Sequence, residues 1–256
     1  MTFSATVLLG AIAGLTIFFG LPFAVLRPSG TGTVAFLNAI ATGVLFFLLF
    51  DVLDQANRPI AAAVVQRQGN WLPLLGLLLG GVGVGYLGLI VYENGVRGQR
   101  PPQVLGSGGR QLATNIALGI GMHNFSEGLA IGGSAKAGAI GLAMTLIIGF
   151  GLHNVTEGFG VAAPLVGKRT PWRLLVALGL LAGGPTFLGT IVGYSFYSPS
   201  LAILFLALAA GAIMYVIGEL FHVGRKLGEP TWTGWGIFLG FAAGYLTNLL
   251  LTAAGA

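Results

Sequence analysis

Cysteine is absent from the 256 residues, and charged side chains make up only 7% of them. Without cysteine the chain has no disulfide framework, no thiolate metal ligand and no thiol redox chemistry. A soluble globular domain carries roughly 25% charged residues, so this chain has too little charge to cover a water-facing surface. A phosphate-binding Gly-x-x-x-x-Gly-Lys-Ser/Thr sequence is also missing, which argues against built-in ATP hydrolysis.

Apolar residues and glycine dominate the chain instead. Hydrophobic residues account for 55% of it, mean hydropathy is +0.89, and 44 residues are glycine. A transmembrane helix needs roughly 20 mostly apolar residues, and small residues let helices approach closely in lipid. The sequence therefore predicts an all-α membrane protein, one domain over residues 1–256, with eight transmembrane helices at 4–26, 33–54, 72–92, 111–134, 138–163, 173–197, 200–224 and 232–252.

The basic residues predict the orientation of these helices. Of the 12 Lys and Arg residues, only Arg58, Arg67 and Lys136 lie on the side of the second, fourth and sixth loops. Basic residues favour the cytoplasmic side, so we expect both termini outside, in a multi-pass protein of the plasma or inner membrane. The other basic residues, on the predicted cytoplasmic side, are Arg27, Arg97, Arg100, Arg110, Lys168, Arg169, Arg173, Arg225 and Lys226.

A local repeat places ligand-type side chains inside the apolar runs. His-Asn-Phe-Ser-Glu-Gly at 123–128 recurs as His-Asn-Val-Thr-Glu-Gly at 153–158, on consecutive antiparallel helices 4 and 5. His and Glu four residues apart share one face of a helix, with Asn beside them. The predicted metal ligands are therefore His123, Asn124 and Glu127 on helix 4, and His153, Asn154 and Glu157 on helix 5.

The cost of burying these groups favours a metal ion over simple packing. A carboxylate at mid-membrane costs on the order of 3 kcal/mol or more, which a bound divalent cation would offset. Imidazole, amide and carboxylate groups suit Zn²⁺, Fe²⁺ or Mn²⁺. Helix-packing hydrogen bonds and a proton relay are the alternatives. A bend near residue 136 predicts an axial offset of roughly 12 Å between the two ligand sets at 1.5 Å per residue, unless tilt, kinks or a bend nearer 140 removes it.

A weaker, distant repeat relates the two ends of the chain. At an offset of 168, Gly43 aligns with Gly211 and Asp51 with Glu219, and Asp54 aligns with His222. At an offset of 164, three residues of helix 3 align with three around helix 8, namely Trp71, Gly76 and Gly80 with Trp235, Gly240 and Gly244. Helices 1 and 6 show no convincing match. The pattern predicts inverted repeats of helices 1–3 and 6–8 flanking helices 4 and 5, a common transporter construction.

Helices 2 and 7 add further candidate ligands. Glu219 and His222, toward the inner end of helix 7, are predicted as metal ligands on the transport or exit route, with an interfacial helix end as the alternative. Asp51 and Asp54, toward the outer end of helix 2, are candidates for gathering cations at the mouth of the route or for a solvated helix end.

The paired motif resembles that of the ZIP family of zinc and iron permeases, of the bacterial or archaeal type. Members carry His-Asn-x-Pro-Glu-Gly motifs on two central helices, and residues 123–128 and 153–158 match apart from the proline. The resemblance implies a 3+2+3 arrangement of eight helices, with a site for one or two metals between helices 4 and 5. The acidic Glu219 on helix 7 also resembles a family position.

Three features depart from the family pattern. Ser126 and Thr156 replace the usual prolines, so a kink must arise otherwise, for instance by hydroxyl back-bonding to the preceding turn. Gly184 stands before Pro185 where many members have Glu, which counts against a fully ligated second metal. The loop between helices 3 and 4 has no histidine.

These observations predict a protein that moves Zn²⁺, or Fe²⁺, Mn²⁺ or Cd²⁺, into the cytoplasm as substrate, without a cofactor. Its partners are the metal ion and the lipid bilayer, not nucleic acid, and a homodimer is left open. Ligating histidine must be neutral, so binding should weaken toward acid pH. An intramembrane metalloenzyme acting on lipid and metal-free passage of protons or anions are the rival interpretations.

Overall fold

The computed structural model describes residues 1–25, 30–66, 71–97, 107–196 and 198–253. Within these ranges the chain forms eight α-helices and no strand. The helices are α1 (Phe3–Leu15), α2 (Thr31–Val65), α3 (Trp71–Arg97), α4 (Ser107–Lys136), α5 (Ile140–Ala162), α6 (Trp172–Ser195), α7 (Pro199–Leu227) and α8 (Pro230–Ala253). The predicted all-α class is confirmed, and each predicted apolar run corresponds to one helix.

Six segments of the described chain are long and apolar enough to cross a membrane. They are Phe3–Val25, Thr31–Val65, Trp71–Tyr92, Ile140–Leu165, Trp172–Ser195 and Pro199–Leu227. Helices α4 and α8 are not among them. For α4 the reason is its buried polar motif, which lowers the hydropathy of a helix that lies inside the bundle. Its neighbours are α5, α6 and α7.

The predicted end of the second helix is wrong, whereas the apolar spans Phe3–Val25 and Trp71–Tyr92 match the predicted runs at 4–26 and 72–92. The first helix changes at Leu15 from α-helix to 3-10 segments, which run over Thr16–Phe19 and Leu21–Val25. Helix α2 continues eleven residues beyond the predicted end at 54, and α3 runs past its apolar span to Arg97. On α2 the polar stretch stays helical because side chains four residues apart pair with each other, as in the Asp54–Arg58 salt bridge of 2.8 Å. The predicted ends at 26 and 197 lie outside the described residues.

The bend between α4 and α5 lies at residues 137–139, slightly later than predicted. Gly138 adopts a left-handed backbone conformation with φ of 79°, which glycine tolerates at no steric cost. From this bend His123 is 15 residues away and Glu157 is 19, a difference that corresponds to roughly 6 Å along the axis. Two side chains can span that distance, so the predicted 12 Å offset is not present.

Glycine contacts show an internal two-fold relation between the two ends of the chain. Gly43 of α2 packs against the backbone around Gly240 of α8, and Gly211 of α7 packs against the backbone around Gly85 of α3 in the same way. The 168-residue offset between α2 and α7 therefore relates equivalent positions. The 164-residue offset between α3 and α8 is wrong, since the matching contacts require an offset of 155.

The surroundings of the aligned glycines explain why the alignment of α3 with α8 fails. A Cβ added to Gly76 or Gly80 would meet nothing, whereas a Cβ on Gly240 or Gly244 would collide with α2. The residues aligned by sequence therefore differ in their packing, because only those of α8 contact a neighbouring helix closely. The glycines of α3 that take the place of Gly236 and Gly240 are Gly81 and Gly85.

The same two-fold relates α1 to α6, a match that the sequence did not reveal. Gly14 and Gly183 face each other where α1 crosses α6, and each would collide with the other's carbonyl oxygen if it carried a Cβ. Gly14 also faces Thr186, while Gly183 faces Ile17, which is the equivalent residue at an offset of 169. Helices α4 and α5 obey the relation too: Gly128 packs on the backbone at Gly189 of α6 as Gly158 packs at Gly20.

Candidate metal site

Three ionisable groups of the repeated motif meet between α4 and α5. The Nε2 atom of His123 lies 3.3 Å from Oε1 of Glu127 and 3.9 Å from Oε1 of Glu157. Their side chains are at most 2% exposed. The first contact is set by the one-turn spacing on α4, and the second by the position of the bend. Both carboxylates thus sit deep in the bundle, and the histidine is between them.

The two motif asparagines fix the central helices to their neighbours. Asn124 Nδ2 donates to the carbonyl oxygen of Ala182 on α6 at 3.1 Å, and Asn154 Nδ2 donates to that of Ala13 on α1 at 3.0 Å. These are one contact repeated by the internal two-fold. Asn124 Nδ2 also donates to Glu157 Oε2 at 3.0 Å. The asparagines therefore position the motif as well as offering oxygen atoms to it.

Several oxygen atoms at this site have no hydrogen-bond partner in the described structure. They are Oδ1 of Asn124, Oδ1 of Asn154 and Oε2 of Glu127, all buried. A buried acceptor without a partner costs about 1–3 kcal/mol. Because each amide uses its nitrogen for anchoring, each oxygen remains available to a cation.

The sixth motif residue, His153, belongs to α5, but its side chain lies outside the described part of the structure. Within the described residues, no group of three or more His, Asp or Glu side chains has the arrangement of a metal site. The assignment of His153 as a metal ligand therefore stays a prediction.

Glu219 and His222 lie apart from this cluster. Gly119 of α4 faces Ala212 of α7, and the rings of Phe125 and Phe205 stand 4.2 Å apart, so the two helices run antiparallel. This register puts Glu219 roughly 16 Å from His123 along the helix axis, at 1.5 Å per residue. Glu219 is half-buried and His222 is exposed. The structure does not bring the two α7 candidates to the motif.

Asp51 of α2 is a neighbour of the site that the sequence placed at a helix end. It is half-buried, and it accepts hydrogen bonds from Gln55 at 2.6 Å and from Asn248 of α8 at 3.4 Å. It lies near enough to His123, Glu127 and Glu157 to interact with them electrostatically. The sequence did carry a signal for this placement. Asp51 still lies within the apolar run of the second helix, one turn before the polar residues that follow it.

A cavity of about 210 Å³ lies beside the motif, between α2, α4 and α7. Ser126 of the motif lines it together with Gln55 and Arg58 of α2 and Leu206 of α7. Ser126 Oγ is buried and has no hydrogen-bond partner among the described residues, so the predicted back-bond from this serine to the preceding turn does not form. At the other departure from the family pattern, Gly184, a Cβ would meet nothing.

A profile of the ZIP zinc transporter family matches residues 102–250. The match covers more than half of the 256 residues and includes both copies of the motif, so the chain belongs to this family. A comparison with curated proteins gives no match.

Membership of the family fixes the class of activity. ZIP proteins are membrane transporters of metal ions and not enzymes, and the apolar helices fit a multi-pass membrane protein. The prediction that the chain is no enzyme is confirmed, and the intramembrane metalloenzyme is set aside.

Proposed function

We propose that the chain moves Zn²⁺, or a divalent ion with similar ligand preferences, into the cytoplasm through the buried cluster of His123, Glu127 and Glu157. Asn124 and Asn154 supply oxygen atoms, and His153 completes the ligand set from α5. The observation that carries the proposal is the burial of two carboxylates within 4 Å of one imidazole nitrogen, inside a bundle of apolar helices.

The distances within the cluster suit shared ligands of one cation. Zinc bonds of about 2.0–2.1 Å in tetrahedral geometry put neighbouring ligand atoms about 3.3 Å apart. The His123–Glu127 distance is 3.3 Å, and the His123–Glu157 distance is 3.9 Å. A small closure of α5 toward α4 would therefore bring all three groups onto one ion.

Electrostatics supports a cation as the substrate and the cytoplasm as its destination. Each carboxylate in the membrane interior costs roughly 3 kcal/mol, and a divalent ion between two of them cancels their charge. Entering a cell with an inside-negative potential, such an ion gains about 4.6 kcal/mol per 100 mV, at about 2.3 per unit charge. Transport down this gradient requires no ATP.

The internal two-fold supports eight membrane crossings in a 3+2+3 arrangement with the site at its centre. The relation pairs α1 with α6, α2 with α7, α3 with α8, and α4 with the antiparallel α5, so each partner crosses the bundle in the opposite sense. Inverted repeats of this kind place the substrate site near the midplane and expose it to each side in turn. With the basic loops inside, both termini of the plasma- or inner-membrane protein are outside.

Uptake of radioactive zinc into proteoliposomes tests the proposal. We expect uptake above that of empty vesicles, faster with an inside-negative potential, and competition by Fe²⁺, Mn²⁺ and Cd²⁺ that ranks the substrates. No uptake of zinc and no uptake of any competitor would overturn the proposal.

A further inference from the structure

Helix α4 carries a second set of buried polar atoms, below the motif. Asn115 is 1% exposed, and its Oδ1 atom has no hydrogen-bond partner in the described structure. Gln111, one turn earlier on the same face, is half-buried, and its Nε2 atom is likewise without a partner. Neither side chain helps to hold the helices together through these atoms.

Both residues lie on the stripe of α4 that faces α7. The stripe continues through Gly119, which packs on Ala212, to Ser126, which lines the cavity beside the motif. The antiparallel register places Asn115 near residue 216 of α7, one turn from Glu219. Along the axis Asn115 is roughly 12 Å from His123, at 1.5 Å per residue. It therefore stands between the buried cluster and the α7 end that contains Glu219.

The internal two-fold allows the buried amides of α4 to be compared with the equivalent positions of α5. The residue of α5 equivalent to Asn115 is Thr145, whose hydroxyl donates to the Gly141 carbonyl at 2.9 Å on an exposed surface. The equivalent of Gln111 is Gly141 itself. Only the α4 copy therefore buries an unpartnered amide, and general packing does not explain the difference.

Helix α2 also packs on this part of α7, and it is polar there as well. Asn38 is 4% exposed and donates to the carbonyl oxygen of Leu220 at 3.3 Å, while Thr42 is 2% exposed. Their two-fold equivalents on α7 are Leu206 and Ala210, both apolar. Near the start of α4, buried polar side chains of α2 thus lie against α7. The positions of α7 that the internal two-fold makes equivalent to them are apolar.

We propose that the Oδ1 atom of Asn115 forms a transit site that a divalent cation occupies after it leaves the His123 cluster and before it reaches Glu219. This inference rests on the proposed function. The amide oxygen of Asn115 replaces part of the hydration shell of the ion and holds it more weakly than a carboxylate would, so the ion passes on. Asn115 acts on the rate of release and not on binding at the cluster.

The test compares Asn115→Leu with the matched control Thr145→Val in proteoliposomes. Leucine has the same branched arrangement of side-chain heavy atoms but no oxygen, and we expect zinc uptake at saturating zinc to fall about tenfold, as when groups next to a metal's ligands are lost. Equilibrium zinc binding to the purified variant should match wild type. Its melting temperature should stay equal or rise, because an unpartnered buried acceptor has been removed. Asn115→Gln, which keeps a neutral amide oxygen near this position, should recover most of the uptake, and Thr145→Val should behave as wild type.

The outcomes separate this inference from the proposed function. Wild-type protein that takes up no zinc contradicts the proposed function. Wild-type uptake together with unchanged uptake by Asn115→Leu overturns the transit site alone. So does a variant that loses zinc binding or thermal stability in step with uptake, because that result assigns Asn115 to the main site or to the fold. If Asn115→Leu does not insert, Asn115→Ala is judged by the same criteria.

Discussion

At the scale of single residues, the motif combines anchoring and ligand chemistry in the same side chains. Asn124 and Asn154 each use an amide nitrogen to hold a neighbouring helix, and each leaves an oxygen atom unpartnered. Glu157 is held by Asn124, whereas the equivalent contact from Asn154 to Glu127 does not form among the described contacts. Glu127 thus has an Oε2 atom without a partner, and we expect it to respond most to a cation.

Removing the Glu127 carboxylate should therefore separate stability from zinc binding. In Glu127→Gln we expect a higher melting temperature than wild type without metal, because one buried carboxylate is lost. Wild type should gain about 2.7 kcal/mol when zinc is at 100 times its dissociation constant, and the variant should gain much less. Thermal melting with and without zinc measures both quantities.

Asp54→Asn is the control, because it also removes a carboxylate but from an exposed pair with Arg58. A pair of this kind contributes only about 0–1 kcal/mol. Equal stabilisation by zinc in wild type and Glu127→Gln would contradict the assignment of Glu127.

At the scale of helices, close approach at glycine joins the two repeats. Gly183 and Gly14 bring the backbones of α6 and α1 together, and the adjacent Gly184 faces open space. Gly183→Ala should lower the free energy of unfolding by about 1–3 kcal/mol, since the added methyl group forces the helices apart. Its melting temperature should fall accordingly. Gly184→Ala should be neutral or stabilising by up to about 1 kcal/mol, because alanine favours a helix. Similar melting of the two variants would contradict this account of the α1–α6 contact.

The sequence could predict the motif on α4 and α5 because its spacing is local and its residue types are chemically specific. It could not predict the pairing of α1 with α6, because Gly14 and Gly183 are equivalent through a shared contact and not through similar neighbours. The alignment of α3 with α8 failed for the same reason: glycine is common, and only its contacts distinguish Gly80 from Gly85. The length of α2 was missed because side-chain pairs kept its polar end helical.

At the scale of the whole molecule, the account requires that α5 cross the membrane between an outer bend and an inner loop. Ala137, in the α4–α5 bend, and Arg169, between α5 and α6, are both exposed. The chain has no cysteine, so single cysteines can be introduced without background labelling. A membrane-impermeant maleimide added to intact cells should label Ala137→Cys, but it should label Arg169→Cys only after permeabilisation. The reverse pattern would invert the proposed orientation, and labelling of both in intact cells would contradict the crossing of α5.

The central claim is that the buried carboxylates of α4 and α5 carry the transported ion. Zinc uptake by proteoliposomes containing Glu127→Gln/Glu157→Gln, beside wild type and Asp54→Asn, tests it most directly. We expect the double variant to insert and melt cooperatively but to take up no more zinc than empty vesicles, while both comparison proteins transport. Uptake by the double variant at the wild-type rate would contradict the claim and place the route of the metal elsewhere in the bundle.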